Sequence, residues 1–68
     1  MYIEFNNTLH NIKDILSVSK PLGKNSSDEY TINIYYGLEE NISKETFTIQ
    51  AEALARYEEL KQILTTKN

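Results

Sequence analysis

Large apolar and polar side chains alternate along residues 30–36, which is the period-two pattern of a strand with one buried face. Ile32 and Ile34 fall on one side of this strand, together with the flanking Tyr30 and Tyr36. The other side carries three uncharged residues, Thr31, Asn33 and Tyr35. We therefore predict a central strand whose isoleucines face the core and whose second face carries no charge.

The period changes to that of an amphipathic helix over residues 51–64. Apolar residues at helical spacing form a narrow stripe with two flanking positions: Ala53, Tyr57, Leu60 and Leu64, with Leu54 and Ile63 beside them. Acidic residues occupy the opposite side. Glu52 lies four residues before Arg56, a spacing that favours an ion pair worth about 0.2–0.5 kcal/mol. Thr48 or Gln50 is the predicted N-cap of this helix.

The N-terminal segment has the pattern of a hairpin. Residues 2–5 predict a first strand and residues 8–12 its return strand. Asn6 and Asn7 form the predicted two-residue turn, because asparagine tolerates a positive φ. Residues 13–14 mark a corner after the return strand.

Residues 15–20 predict the next strand, which Pro21 ends because proline has no N–H to donate. Strict alternation places Leu16 and Val18 on one face, and Ser17 and Ser19 on the other. Residues 22–29 are the most polar stretch of the chain and predict a mobile loop.

Residues 43–49 predict the last strand, after a hairpin loop at residues 37–41. Pairing with the central strand would create a continuous apolar floor of Ile32, Ile34, Phe47 and Ile49. Strands followed by one helix indicate the α+β class: a small antiparallel β-meander of three to five strands with one C-terminal amphipathic helix packed on one face. We expect a single domain over residues 1–68, with the sheet in residues 2–50, the helix in 51–64 and a frayed tail in 65–68.

Composition narrows the possible functions. A chain of 68 residues without cysteine has a small core and no disulfide, so self-association is an expected source of further stability. A net charge of −3, with the basic residues scattered, disfavours nucleic-acid binding. No apolar run is long enough to cross a membrane, and the N-terminus lacks the pattern of a signal peptide. We therefore expect an acidic, cytoplasmic protein.

The residues suited to catalysis or ligand binding do not form a recognisable motif. His10 is the only histidine, and we expect a solvated side chain at a strand end. Two pairs of adjacent carboxylates do not have the spacing that lets several ligands converge on a metal: Asp28 with Glu29, and Glu39 with Glu40. The two glycines, Gly23 and Gly37, are isolated and do not form a phosphate-binding loop. We therefore predict no catalytic residue, no metal and no cofactor, and a protein that is not an enzyme.

The sheet face turned away from the helix is the candidate site. Alternation places Ser17 and Ser19 on it together with five residues that we single out as candidate partner-binding positions: Thr31, Asn33, Tyr35, Thr46 and Thr48. Water-exposed faces commonly carry Lys and Glu, whereas this set is uncharged and includes a tyrosine, a residue that interfaces favour. The alternative explanation is that threonine and tyrosine simply favour strands.

The order of motifs resembles one group of small proteins. An Asp-Ile-x-x-Val strand entry at residues 14–18 is followed by Tyr-x-Ile-x-Ile at 30–34, Phe-x-Ile at 47–49 and Ala-x-x-x-Tyr-x-x-Leu at 53–60. This pattern is similar to that of small uncharacterised proteins of low-GC Gram-positive bacteria and their phages, with a sheet and a C-terminal helix in a minimal pleckstrin-homology-like arrangement. The resemblance implies the fold and transfers no functional residue.

The leading functional hypothesis is a non-enzymatic protein-binding module that associates with itself as a homo-oligomer, through the uncharged face or a free strand edge. The first alternative is a phage or mobile-element inhibitor that masks a host or defence protein, using the acidic helix and residues 22–29. The second is a nucleic-acid-binding accessory protein that stacks bases on the aromatic face, although it lacks a basic groove.

Overall fold

A computed structural model of the protein describes residues 1–37 and 41–66. A two-stranded antiparallel hairpin, β1–β2, precedes a three-stranded antiparallel sheet in the order β3–β4–β5, and one helix ends the chain. The predicted α+β class is confirmed. The elements are β1 (Tyr2–Phe5), β2 (Thr8–Asn11), a 3₁₀ helix (Ile12–Asp14), β3 (Ile15–Val18), β4 (Tyr30–Tyr36), β5 (Asn41–Phe47) and α1 (Gln50–Thr65).

The hairpin turn is the one that the two asparagines predict. Asn6 and Asn7 have φ values of 53° and 59°, and two positive φ values in succession are what a type I′ turn requires. The return strand is shorter than predicted and ends at Asn11. The side chain of Asn11 accepts a hydrogen bond from the backbone N–H of Lys13 at 3.1 Å. This bond caps the 3₁₀ turn and ends the strand.

Strand β3 contains a bulge that the sequence pattern does not reveal. Ile15 pairs with Tyr36 and Ser17 pairs with Tyr35, so Leu16 is an extra residue without a partner on β4. The bulge keeps Ile15 and Val18 on the core side and turns Leu16 outward, where it is 66% exposed. The prediction that Leu16 shares a face with Val18 is wrong, because one inserted residue reverses the alternation.

Strand β5 is displaced by two residues from its prediction. Ile32 pairs with Glu45 and Ile34 with Ser43, so the core side of β5 is more polar than the predicted apolar floor. Ile49 lies beyond the strand and is 54% exposed. It is also the N-cap of α1, with no side-chain hydrogen bond, so the predicted cap at Thr48 or Gln50 is wrong.

Helix α1 follows its predicted stripe and extends one residue further at each end. Ala53 and Leu60 are fully buried, and Tyr57, Ile63 and Leu64 pack against the core. In the part of the chain that the structure describes, no helix is long and apolar enough to cross a membrane.

One hydrophobic cluster joins all three units of the fold. The hairpin, the sheet and the helix each contribute to it through Ile3, Phe5, Ile12, Ile15, Ile32, Ile34 and Leu60. The sheet residues of this cluster, Ile15, Ile32 and Ile34, all face the same side, so the opposite side of that sheet takes no part in the cluster.

His10 lies in this core and not in solvent. It is 7% exposed, and its ring makes edge contacts with the rings of Tyr36 at 4.6 Å and Phe5 at 6.5 Å between centroids. The expectation of a solvated strand-end side chain is wrong, because Ile3 and His10 are paired across the hairpin and both face inward. The Nε2 atom of His10 is buried without a hydrogen-bond partner.

Replacing His10 with phenylalanine should therefore stabilise the protein. The ring contacts with Tyr36 and Phe5 are kept, while an unpaired polar atom is removed, which is worth about 1 kcal/mol in the free energy of unfolding. Urea unfolding followed by circular dichroism measures the change. His10→Ala is the matched control and should destabilise, since it opens a cavity. A less stable His10→Phe variant would contradict the buried, unpaired placement of Nε2.

The polar segment at residues 22–29 is a loop with its own hydrogen bonds. The Asn25 carboxamide oxygen accepts from the N–H groups of Ser27 and Glu29, both at 2.9 Å. Its nitrogen donates to the Thr31 hydroxyl at 3.1 Å, which ties the loop to β4. The predicted hairpin loop at residues 37–41 begins at Gly37, whose φ of +75° favours glycine, and residues 38–40 lie outside the described residues.

Candidate interaction surface

The outer face is the side of the β3–β5 sheet that points away from the core. Pairing places Thr31 beside Thr46, Asn33 beside Lys44 and Tyr35 beside Ile42. Its outward strand positions are Leu16, Ser17, Thr31, Asn33, Tyr35, Ile42, Lys44 and Thr46. Four of the five candidate positions, Thr31, Asn33, Tyr35 and Thr46, are therefore brought together. Thr48 is exposed but lies beyond the end of β5, outside this face.

Three residues that the sequence reasoning missed change the character of this face. Alternation predicts Leu16 on the core side, Ile42 precedes the predicted strand at residues 43–49, and the predicted outer set does not include Lys44. Lys44 is the one charged side chain at an outward strand position in the described part of the sheet. Starting β5 at Asn41 includes Ile42, and alternation with Thr46 places Lys44 on the outer face, whereas the position of Leu16 depends on the bulge.

An apolar row, with exposed Leu16 and Ile42 on either side of a partly exposed Tyr35, crosses the three strands at one end of the outer face. The row consists of Leu16 from β3, Tyr35 from β4 and Ile42 from β5, and with Ser17 these residues line one shallow depression. Leu16 is 66% exposed and Ile42 is 51% exposed. The row is also regular in composition, since an aliphatic side chain lies on each side of a central tyrosine.

The other end of the outer face is polar, and two of its hydroxyl groups are engaged within the chain. The Ser19 hydroxyl accepts a hydrogen bond from the Asn33 N–H at 2.9 Å, and the Thr31 hydroxyl accepts one from Asn25. The Asn33 carboxamide oxygen is buried without a partner. A partner that docks on this face would therefore gain mainly from burial of the apolar row.

Both edges of the sheet carry features that oppose strand addition. Strand β3 has four residues and contains the bulge. Strand β5 carries Lys44. The β1–β2 turn is hydrogen-bonded to this strand, because the Asn6 N–H donates to the Glu45 carboxylate at 2.9 Å. Short strands, bulges and edge lysines are the devices by which proteins prevent edge-to-edge pairing. Of the two predicted contact surfaces, the face is therefore the better candidate.

Arg56 is the centre of an ion-pair cluster that joins the helix to both sheets. Its Nε donates to Glu45 at 2.9 Å, one terminal nitrogen donates to Glu59, and the other donates to the backbone oxygen of Glu4. The predicted partner, Glu52, is not the residue that Arg56 contacts, because Glu45 reaches it from β5. Partial burial alone lowers the pKa of Arg56, but the hydrogen bonds and charges of Glu45 and then Glu59 outweigh it, so the pKa is raised.

This cluster is structural. The side chains of Glu45 and Arg56 are only 20% and 21% exposed. Their hydrogen bonds link the hairpin, β5 and α1 to one another. Among the residues that line the shallow depressions on either side of Arg56, Glu4, Glu45 and Glu59 are already engaged by these bonds.

A further ion pair in the described residues lies on the surface. Lys24 lies 3.1 Å from Asp28, and the hydrogen bond and charge of Asp28 raise the pKa of the exposed Lys24. Within residues 1–37 and 41–66, no three histidine or acidic side chains gather as a metal site.

No family model, curated protein or solved structure matches the chain.

Proposed function

We propose that the protein is a non-enzymatic protein-binding module whose contact surface is the outer face. The observation that carries the proposal is the bulge in β3. Ordinary alternation would direct Leu16 inward, and the bulge instead exposes 66% of a leucine beside Tyr35 and Ile42. Bulges are typical devices for re-aiming a side chain.

The energetics favour the apolar row as the centre of such a contact. Full burial of a Leu or Ile side chain is worth about 1.5–3 kcal/mol, and tyrosine combines a large apolar area with a polar tip. These gains must exceed the cost of association, which is at least about 4 kcal/mol. Because Leu16 and Ile42 are 66% and 51% exposed and Tyr35 is already partly buried, only part of this gain is available, which supports a weak complex.

The two alternative functions have less support from the same surface. Lys44 is a single positive charge among the described outward positions, whereas nucleic-acid grooves carry several cations along the backbone path. On the acidic side of the helix, Glu59 is already engaged by Arg56. Neither alternative has an observation of its own that favours it.

Site-specific photocrosslinking in the cells that produce the protein tests this proposal. A benzophenone amino acid at position 42 should give a discrete protein adduct, because Ile42 lies in the apolar row. The matched control carries the same group at position 22, where Leu22 is 75% exposed but lies in a loop. Equal labelling at both positions, or no adduct at position 42, would refute the outer face as the contact surface.

A further inference from the structure

We infer that the partner on the outer face is a second copy of this chain, placed face to face about a two-fold axis that runs along β4. This inference rests on the proposed function and names its partner. In this arrangement, Tyr35 lies against Tyr35 of the other copy, and Leu16 of each copy lies against Ile42 of the other.

The composition of the apolar row supports a copy of the same chain. A two-fold interface must be self-complementary, because each residue meets the symmetry mate of its own partner. Ile42 is paired with Tyr35 on one side, and on the other side the bulged Leu16 lies next to Ser17, the residue of β3 that is paired with Tyr35. Rotation about β4 exchanges these two aliphatic side chains and leaves the tyrosine on the axis, so the row matches itself.

The dimensions of the face favour an axis along β4 over one along the row. Three strands spaced about 4.8 Å apart and seven residues at about 3.3 Å each give a face of roughly 14 × 23 Å. Tyr35 is the second-last residue of β4, so an axis along the row would overlap only one end of each sheet. An axis along β4 superimposes the whole of both faces, in the aligned packing usual for two sheets.

The same dimensions limit the strength of the dimer. A face of about 300 Å² is well below the roughly 800 Å² that each partner buries in a complex of standard size. The dimer is therefore weak and reversible. The bulge in β3 and Lys44 in β5 oppose strand pairing at the two sheet edges. Association therefore stops at two copies and does not continue as a fibre.

Sedimentation velocity over a concentration series up to about 1 mM tests the partner, since this range covers weak association. The parent chain should shift from one to two chain masses as the concentration rises. Tyr35→Glu should remain at one mass throughout, because it places two carboxylates on the axis. Leu9→Glu is the matched control: Leu9 is 70% exposed on the hairpin, so this variant should dimerise like the parent. Circular dichroism confirms that each variant is folded.

Cysteine crosslinking tests the axis, and the chain has no cysteine of its own. With a short bis-maleimide, Tyr35→Cys should crosslink to its own copy. Leu16→Cys and Ile42→Cys should each crosslink poorly alone and efficiently when the two are mixed. Two results would overturn this axis. One is a yield of crosslinked dimer from Leu16→Cys alone or Ile42→Cys alone that equals the yield from the mixture, and the other is a dimer crosslinked through Leu9→Cys.

Different results would overturn the second copy as partner and the outer face as contact surface. A parent chain that stays at one mass up to about 1 mM overturns the second copy as partner. The photocrosslinking at position 42 then still decides the proposed function, because an adduct heavier than two chains identifies a different protein partner. Absence of both a dimer and an adduct overturns both.

Discussion

Replacing Leu60 with alanine is expected to lower the free energy of unfolding by about 2–5 kcal/mol. Leu60 is fully buried and is the residue of α1 that belongs to the central cluster with Ile32 and Ile34. At about 0.05–0.15 kcal/mol per residue, a domain of this size has a total stability of only about 3–10 kcal/mol. The loss of one leucine therefore removes a large fraction of the stability, and at the upper end it unfolds the chain.

Urea unfolding followed by far-ultraviolet circular dichroism measures this loss, and tyrosine fluorescence gives a second probe because the chain has no tryptophan. Leu9→Ala is the matched control: its side chain is 70% exposed, so the change should stay within about 0.5 kcal/mol. Leu60→Met, which nearly conserves volume, should cost less than about 1.5 kcal/mol. A Leu60→Ala variant as stable as Leu9→Ala would show that α1 is not packed on the sheet.

Replacing Arg56 with methionine is expected to destabilise the protein by about 2–3 kcal/mol, between the values typical of exposed and buried ion pairs. Methionine keeps much of the aliphatic packing but removes the bonds to Glu45, Glu59 and the Glu4 carbonyl. It also leaves the Glu45 carboxylate, which is largely buried, without its cation. The cost is larger than that of a surface pair because three units of the fold meet at this side chain.

Chemical denaturation of a double-mutant cycle isolates the pair. Glu45→Gln combined with Arg56→Met should cost less than the sum of the two single changes, since the second substitution no longer breaks an intact pair. Glu52→Gln serves as the matched control on the helix, because Arg56 bonds to Glu45 and Glu59 and not to Glu52. A larger loss for Glu52→Gln than for Glu45→Gln would contradict the observed cluster.

The features that the sequence predicts well depend on neighbours along the chain. The bounds of β1 and β4 are as predicted, and the stripe around Leu60 is the buried face of α1. The turn at Asn6 and Asn7 has the positive φ values that asparagine tolerates. Alternation, helical period and turn chemistry are local, so a single sequence carries them.

The features that the sequence misses depend on which residues face each other across the fold. The pattern of β5 fits two registers, and pairing with β4 selects the one that places Glu45 opposite Ile32 and leaves Ile49 exposed. His10 looks like a polar strand end until the hairpin folds over the core and buries it. The partner of Arg56 is likewise chosen by β5, eleven residues away in the chain.

The candidate site shows the same division. The sequence by itself determines that β4 has an uncharged second face with Thr31, Asn33 and Tyr35, since strand periodicity is enough for that. Tertiary structure alone decides that the exposed Leu16 and Ile42 join the partly exposed Tyr35 in one row. A bulge is a mismatch between two paired strands, and it is the pairing of β3 with β4, not the pattern of β3, that determines where Leu16 points.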